Sequence, residues 1–313
     1  VEVFNALKDS SLSGLIEASF ESWDSYLSQY SFPRKYDVEY MKNGLQDGSV
    51  TIEQLRDFMG VNSNEALFET DVKGAELYFL EGEKWYKTHE APLEGVFYTY
   101  GYYFGQVRVD PNDPSRIFIL GVPLIYSIDT GKTWNRFDGG HIHADHHDLW
   151  LNPLRKGHMI SGNDGGLNIS FDGGMEWTKT NPIPVGQFYT VSVDQSEPYR
   201  IYGGLQDNGV WRGSSSYKLG KDWLAEGQYP YESIMGGDGM QIAVDSRNNE
   251  VVYTGYQFGN YYRIDLRTND YQYISPQHDL GEKAYRWNWQ TPIHLSEHHQ
   301  DFLYMGSQHF HRS

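Results

Sequence analysis

Six ionisable side chains crowd into eight residues of this sequence, HIHADHHD, which holds His141, His143, Asp145, His146, His147 and Asp148. Imidazole beside carboxylate is the donor set of zinc or another divalent ion. In an extended segment His143, Asp145 and His147 share one side. Neighbours on one strand rarely all reach one ion, however, and the chain has no HExxH helix. Calcium held by carboxylates and carbonyls of a loop such as GNDGG, residues 162–166, is an equal option. The expectation is that no cofactor is required, with calcium or zinc as the divalent ion to consider.

Carboxylates also pair by position. Asp145 lies seven residues before Asn152 and Asp238 seven before Asp245, with Tyr103 and Gln187 in the same phase before Asp110 and Asp194. Paired carboxylates are what glycoside hydrolysis needs, one as acid and one as base or nucleophile. Asp145 and Asp238 are therefore the first catalytic candidates, with Asp148, Asp164 and Asp207 in reserve. Around them, Tyr102, Tyr103, Phe258, Trp287 and Trp289 offer flat apolar faces for sugar rings. His143, His147, Gln187, Gln206, Asn208 and Gln257 supply donors and acceptors. Pure recognition of a peptide fits the same aromatic and amide side chains. In a third reading Asp145 and Asp238 bond backbone amides and only pin loops.

The elements that would position these residues repeat. An alternating apolar run ends in Asp, Asn or Ser, followed by a polar turn and a second run. The anchors are Asp110, Asn152, Asp194, Asp245 and Ser296, spaced by 42, 42, 51 and 51 residues. Short alternating strands at that period predict blades of a β-propeller, an all-β fold. Within the repeat, S-x-D-x-G-x-x-W occurs twice, as Ser127, Asp129, Gly131, Trp134 and as Ser170, Asp172, Gly174, Trp177. Its chemistry is that of a tight hairpin, with a carboxylate taking turn amides, a left-handed Gly and a packed Trp. Gly82/Trp85 and Gly220/Trp223 keep part of the spacing. In a blade these hairpins open on the face opposite the ligand loops, so Asp129 and Asp172 are expected to be structural. The ligand face should carry the loops before each inner strand and those after each second strand.

Residues 4–70 break the repeat. Leu12, Ile16, Phe20, Trp23, Leu27 and Tyr30 predict one amphipathic helix over about 12–30. Asp37 should cap a second helix ending near Gly44, and the capping box Thr51–Gln54 a third over 52–59. The expected organisation is a remnant strand at 1–3, a helical insertion at 4–70, and consecutive blades over 71–313 with the last one truncated. The remaining blades of a parent chain would then be its partners.

Composition narrows the partners further. The chain of 313 residues has 25 Lys+Arg against 42 Asp+Glu, a formal charge of −17, and no cysteine. An acidic chain repels phosphate backbones, so nucleic acid is a poor partner. No apolar run is long enough to span a bilayer. Cysteine nucleophiles, thiolate metal sites and disulfides are excluded. P-loop, GxGxxG and GxSxG strings are absent.

The S-x-D-x-G-x-x-W turns resemble the Asp boxes of sialidases, xyloglucanase-type glycosidases and the sortilin propeller. The stretches GAELYFLEGEKWYKTHE, YGYYFGQVRVDP, HADHHDLWLNP, GNDGGLNISFDGG, PYRIYGGLQDNGVW and GGDGM resemble a large exported bacterial family labelled "glycosyl hydrolase" or "sortilin N-terminal-like". The resemblance covers roughly residues 71–313. It implies a seven- to ten-bladed propeller in a longer exported protein, periplasmic, outer-membrane-associated or secreted. It also implies either a carbohydrate-directed, glycoside-hydrolase-like site or a sortilin-type peptide-binding site without catalysis. Sialidase chemistry is disfavoured, since the ligand-face loops offer almost none of the clustered arginines it requires.

Overall fold

A computed structural model describes residues 1–59, 74–137, 142–180, 186–218, 231–299 and 301–313. They form two compact units, Val1–Ser63 with Gln187–Ser313, and Asn64–Gly186. Among the described residues no helix is long and apolar enough to cross a membrane.

The Asn64–Gly186 unit contains a hairpin, β1 (Tyr78–Glu81) with β2 (Lys84–Lys87), and two four-stranded antiparallel sheets. The first sheet runs β3 (Gln106–Asp110), β4 (Asp113–Leu120), β5 (Leu124–Ser127), β6 (Asn135–Arg136). The second runs β7 (His146–Leu151), β8 (Met159–Asn163), β9 (Gly166–Ser170), β10 (Thr178–Thr180). Strand β7 packs against β3 and β4, burying Phe118, Leu120, Leu124, Leu149, Met159 and Trp177 in one core.

The other unit holds three further meanders. They are β11 (Phe188–Val193), β12 (Arg200–Leu205), β13 (Gly209–Ser214), β14 (Tyr231–Met235); then β15 (Ile242–Val244), β16 (Val251–Tyr256), β17 (Asn260–Asp265), β18 (Asp270–Tyr273); then β19 (Ile293–Leu295), β20 (Leu303–Gly306), β21 (Phe310–Arg312). Strand β15 packs on β11 and β12, and β19 on β15. Tyr202, Val210, Ile234, Ile242, Val252 and Ile264 fill the first interface. Met240, Tyr261, Leu303 and Met305 fill the second. Every sheet is joined in sequence order. The fold is thus mostly β, built from propeller-type blades, as the repeat predicts.

The anchors show why the repeat folds this way. In each copy the anchor side chain accepts a hydrogen bond from the backbone N–H two residues on: Asn112 to Asp110 at 2.8 Å, Leu154 to Asn152 at 2.8 Å, Ser196 to Asp194 at 3.1 Å, Arg247 to Asp245 at 2.9 Å and His298 to Ser296 at 3.3 Å. This short-range bond closes the turn before the partner strand arrives. The Asp194 carboxyl feels burial, which raises its pKa, but the Arg200 and Ser196 donors outweigh it and hold the group below its ordinary range.

Among the described residues five helices precede the strands: α1 (Glu2–Lys8), α2 (Leu12–Glu17), α3 (Phe20–Gln29), α4 (Val38–Asp47) and α5 (Ile52–Met59). Three expectations need correction. Residues 1–3 are not a strand; Val3, Ala6 and Leu7 are buried in helical spacing, which three residues read alone cannot reveal. The helix predicted over 12–30 is two helices, because Ser19 turns extended and caps α3 by accepting from Ser22 N–H at 3.3 Å. The α4 helix runs through Gly44 to Asp47 and stops at left-handed Gly48. Gly44 serves packing instead, since a Cβ there would lie 2.4 Å from Val50 Cγ2. The Thr51–Gln54 capping box forms as predicted, Thr51 N–H to Gln54 Oε1 at 2.9 Å and Gln54 N–H to Thr51 Oγ1 at 3.2 Å. Leu7, Leu15, Trp23, Tyr26, Met41 and Leu55 are buried together. Trp23 Nε1–H donates to Leu15 O at 3.0 Å and the Tyr26 hydroxyl to Leu55 O at 2.8 Å. The helices pack on the strip between β18 and β19, so they belong to a blade-bearing unit rather than standing alone. The predicted end of the insertion near residue 70 lies outside the described residues.

Candidate functional site

In the Asn64–Gly186 unit the His-rich loop is held by backbone bonds. The Asp145 N–H donates to Val122 O and the His146 N–H to Gly121 O, both at 2.9 Å, which stitches the loop to the β4–β5 hairpin. Asp145 sits at φ 59, in the left-handed region. That turn, with a bulge between His146 and Asp148, departs from the extended geometry in which His143, Asp145 and His147 would share one side. His146 is buried against Ser161, with Nδ1 3.1 Å from Oγ. Burial is the main cause that lowers its pKa to about 4, so the ring is neutral. His147 Nε2 lies 2.7 Å from Asp164 Oδ1, with the rings of Tyr103 and Phe104 at 5.2 and 5.5 Å. His143 Nδ1 is 3.1 Å from Ala144 O. Asp148 pairs with Arg108 at 2.6 Å on the surface. Tyr102 is 85% exposed. Among the described residues no group of three or more His, Asp or Glu is placed to hold a metal ion; His141 lies outside them.

Both S-x-D-x-G-x-x-W turns are hydrogen-bonded hairpin closures. Ser127 Oγ donates to Asp129 Oδ1 at 2.8 Å, the Thr133 N–H donates to the same oxygen at 2.9 Å, and the Gly131 N–H to Ser127 Oγ at 2.8 Å. Ser170, Asp172 and Gly174 repeat this, with the Glu176 N–H on Asp172 Oδ1 at 3.1 Å. Amide donors, Thr133 first, bring the Asp129 carboxyl down to about 2. The Glu176 amide does the same in direction for Asp172. Trp134 caps its turn by donating to Gly131 O at 3.0 Å, while Trp177 is buried. These carboxylates are consumed by turn geometry. Trp85, in the decayed copy, is 66% exposed; Gly220 and Trp223 lie outside the described residues.

The other unit gathers a different set. Its loops before inner strands and its second-to-third-strand hairpins meet through short bonds. The Gln206 N–H donates to Gln187 O and Gln187 Nε2 to Gln206 Oε1, each at 2.9 Å. Asp207, at φ 58, donates its N–H to Asp238 Oδ1 at 3.1 Å, so the Asp238 carboxylate bonds a backbone amide and pins the hairpin that carries Asp207. Asp238 is buried, with a relative exposure of 8%. The neighbouring Gly239 is required by close approach, because a Cβ there would lie 2.2 Å from Gly209 O. Asn208 Nδ2 donates to Gln206 O at 3.0 Å and fixes the hairpin tip.

Tyr189 completes the cluster, and sequence reading missed it. It lies two residues after Gln187 on β11, the alternation that would have flagged it. The Trp289 Nε1–H donates to its hydroxyl at 2.9 Å. Burial raises the Tyr189 pKa; the Trp289 bond opposes this, and the charges of Asp238 and Asp207 add to the rise. Phe258, at φ 60, donates its N–H to Trp289 O at 3.1 Å and meets the indole edge-on at 5.2 Å. Trp287 lies on the β16–β17 hairpin, where a Cβ on Gly259 would come within 2.6 Å of it. Gln257 Oε1 is buried here with no hydrogen-bond partner. Of the predicted residues, Gln187, Gln206, Asp207, Asn208, Asp238, Gln257, Phe258, Trp287 and Trp289 thus occur in one unit. Tyr102, Tyr103, His143, Asp145, His147, Asp148 and Asp164 occur in the other.

The strip carrying Trp287 and Trp289 is braced by the helices. Phe58 stacks on His278 at 4.4 Å and on Phe32 at 3.8 Å. The Leu280 N–H donates to the Tyr36 hydroxyl at 2.9 Å, and Lys35 pairs with Asp279 at 2.6 Å. Burial lowers the His278 pKa.

No family model and no curated protein matches the chain. Solved structures do. A GH74 xyloglucanase from Xanthomonas campestris is 13% identical, with a TM-score of 0.30 over 77% of this chain and 40% of that one. A GH74 enzyme from Niastella koreensis is 16% identical, with a TM-score of 0.27 over 76% and 38%. YCF48 bound to D1 peptide is 12% identical, with a TM-score of 0.25 over 72% and 67%. The chain spans about two fifths of the length of the two GH74 proteins. The assignment to blade architecture rests on the strand order, and nothing about activity is carried over from them.

Proposed function

We propose that this chain is a carbohydrate-directed propeller protein whose glycan site is the loop cluster around Tyr189, Asp207, Asp238, Phe258 and Trp289. The observation that carries the reading is the bond from Trp289 to Tyr189 beside the Asp207–Asp238 junction. It puts an aromatic face that is partly exposed next to carboxylates and the Gln187–Gln206 amides. Sugars are bound by that combination: ring CH groups on an aromatic plane, hydroxyls on fixed acceptors and donors. Hydrolysis would need two carboxylates with different protonation. Asp207 and Asp238, joined through the Asp207 N–H, are the candidates in this unit. Asp145, first paired with Asp238 on sequence grounds, lies in the other unit.

The test is binding of a polysaccharide panel by the whole chain, followed by an assay for new reducing ends. Trp289→Ala is expected to raise Kd about tenfold, the scale of one stacking contact with its desolvated surround. If reducing ends appear, Asp238→Asn and Asp207→Asn should each abolish them. Retention of peptides with no glycan bound would overturn the reading.

A further inference from the structure

A second feature lies in the same unit as the cluster. An open cleft of about 670 Å³ is lined by Glu282, Lys283, Tyr285, Arg286, Gln308 and His309. Its walls are the strip before β19 and the β20–β21 hairpin. Gln308 ties the two together: its Oε1 accepts the Arg286 N–H at 2.5 Å and its Nε2 donates to Ala284 O at 3.4 Å. The backbone of Arg286 is therefore fixed while its side chain is exposed. Among the described residues neither Arg286 nor Lys283 forms an ion pair. That is notable in a chain with 42 acidic residues against 25 basic ones. Glu282 is the one carboxylate of the lining. The two cations exceed it.

Tyr285 gives the lining an aromatic face. It meets His309 at 5.7 Å, His311 at 4.7 Å and Trp287 at 6.1 Å, the last at 88°. A glycan held at Trp289 would have a cationic recess three residues back along the same strip. Guanidinium matches a carboxylate bidentately, ammonium adds a point charge, and a pre-fixed backbone lowers the entropy cost of recognition.

Resting on the glycan reading above, we infer that the cleft of Arg286 and Lys283 takes the carboxylate of an acidic sugar, so the ligand is a uronate-bearing polysaccharide rather than a neutral one. The test compares four probes on the whole chain: polygalacturonate, its fully methyl-esterified form, a sulfated galactan, and neutral xyloglucan. Polygalacturonate should bind most tightly, esterification should remove most of the affinity, and added salt should weaken binding. Arg286→Ala should raise Kd for polygalacturonate about tenfold to a hundredfold, the range for a hydrogen bond to a charged group, with Arg286→Lys in between. Arg286 is exposed, and an unchanged Tm will show that the variants fold. Equal binding of the esterified and charged forms, or an unaffected Arg286→Ala, overturns the inference and leaves the glycan reading standing. Tighter binding of the sulfated galactan overturns the carboxylate assignment. Failure of all four probes overturns both.

Discussion

The loop from His143 to Asp148 is the densest cluster of ionisable groups in the sequence, whereas the segment from Gln187 to Tyr189 has one titratable side chain. The structure treats them differently. In the first, His146 is neutral and buried, Asp148 is paired on the surface, and His147 is engaged by Asp164. Around the second, a phenol, an indole, two amides and a buried carboxylate are bonded to one another or to a backbone amide. The density of reactive residue types says little about a site. What separates the two is span: the Trp289–Tyr189 bond joins residues 100 positions apart, whereas the His146 and His147 bonds reach 15 and 17.

That contrast can be broken experimentally. The largest expected effect concerns the brace behind the aromatic strip. Phe58→Ala removes a buried ring stacked on both Phe32 and His278, and should cost about 3–5 kcal/mol in denaturant unfolding, with weaker glycan binding as the strip loosens. Unchanged binding in a folded Phe58→Ala variant would separate the helices from the site.

Next is pH. Folding lowers the His146 pKa from 6.5 to about 4. Between those values the unfolded chain binds more protons than the folded one, so stability falls as pH drops from about 6.5 to about 4, by roughly 3 kcal/mol in all. Unfolding free energy measured across that window should fall in the native chain, and His146→Gln should lack this component. An identical slope in both would show that His146 is not buried neutral.

Smaller still, His147→Ala should leave glycan affinity within about twofold, where Trp289→Ala changes it about tenfold. Loss of binding on His147→Ala would transfer the site to the other unit. The smallest effect belongs to Asp129→Ala, which opens one surface turn. It should lower Tm measurably and leave glycan binding unchanged.

Most of the strand framework was legible because its cause is local. The anchor side chains and the S-x-D-x-G-x-x-W turns bond within about four residues, so spacing alone exposes them. The Thr51–Gln54 box was legible for the same reason. Ser19 was not, since apolar periodicity ran straight through a residue that competes for its own backbone. The left-handed backbone of Asp145 and Asp207 was hidden too, as that conformation is imposed by neighbouring hairpins. Asp238 was selected by its phase in the repeat, and Asp207, whose N–H it accepts, was ranked in reserve. Arg286 went unselected because one arginine in RWNWQ carries no periodicity; only the Gln308 clamp singles it out.

The turn-closing anchors bear on how such a chain can change over time. Each is sealed by an atom two residues away, so no sheet depends on its neighbour to make its first reversal. The nine extra residues between Asp194 and Asp245, and again between Asp245 and Ser296, were accommodated without disturbing a single seal. In the latter interval lies the strip bearing Trp287 and Trp289, clamped by Gln308 and docked by helices. Novelty in this architecture is added in the spacers, while the closures keep time.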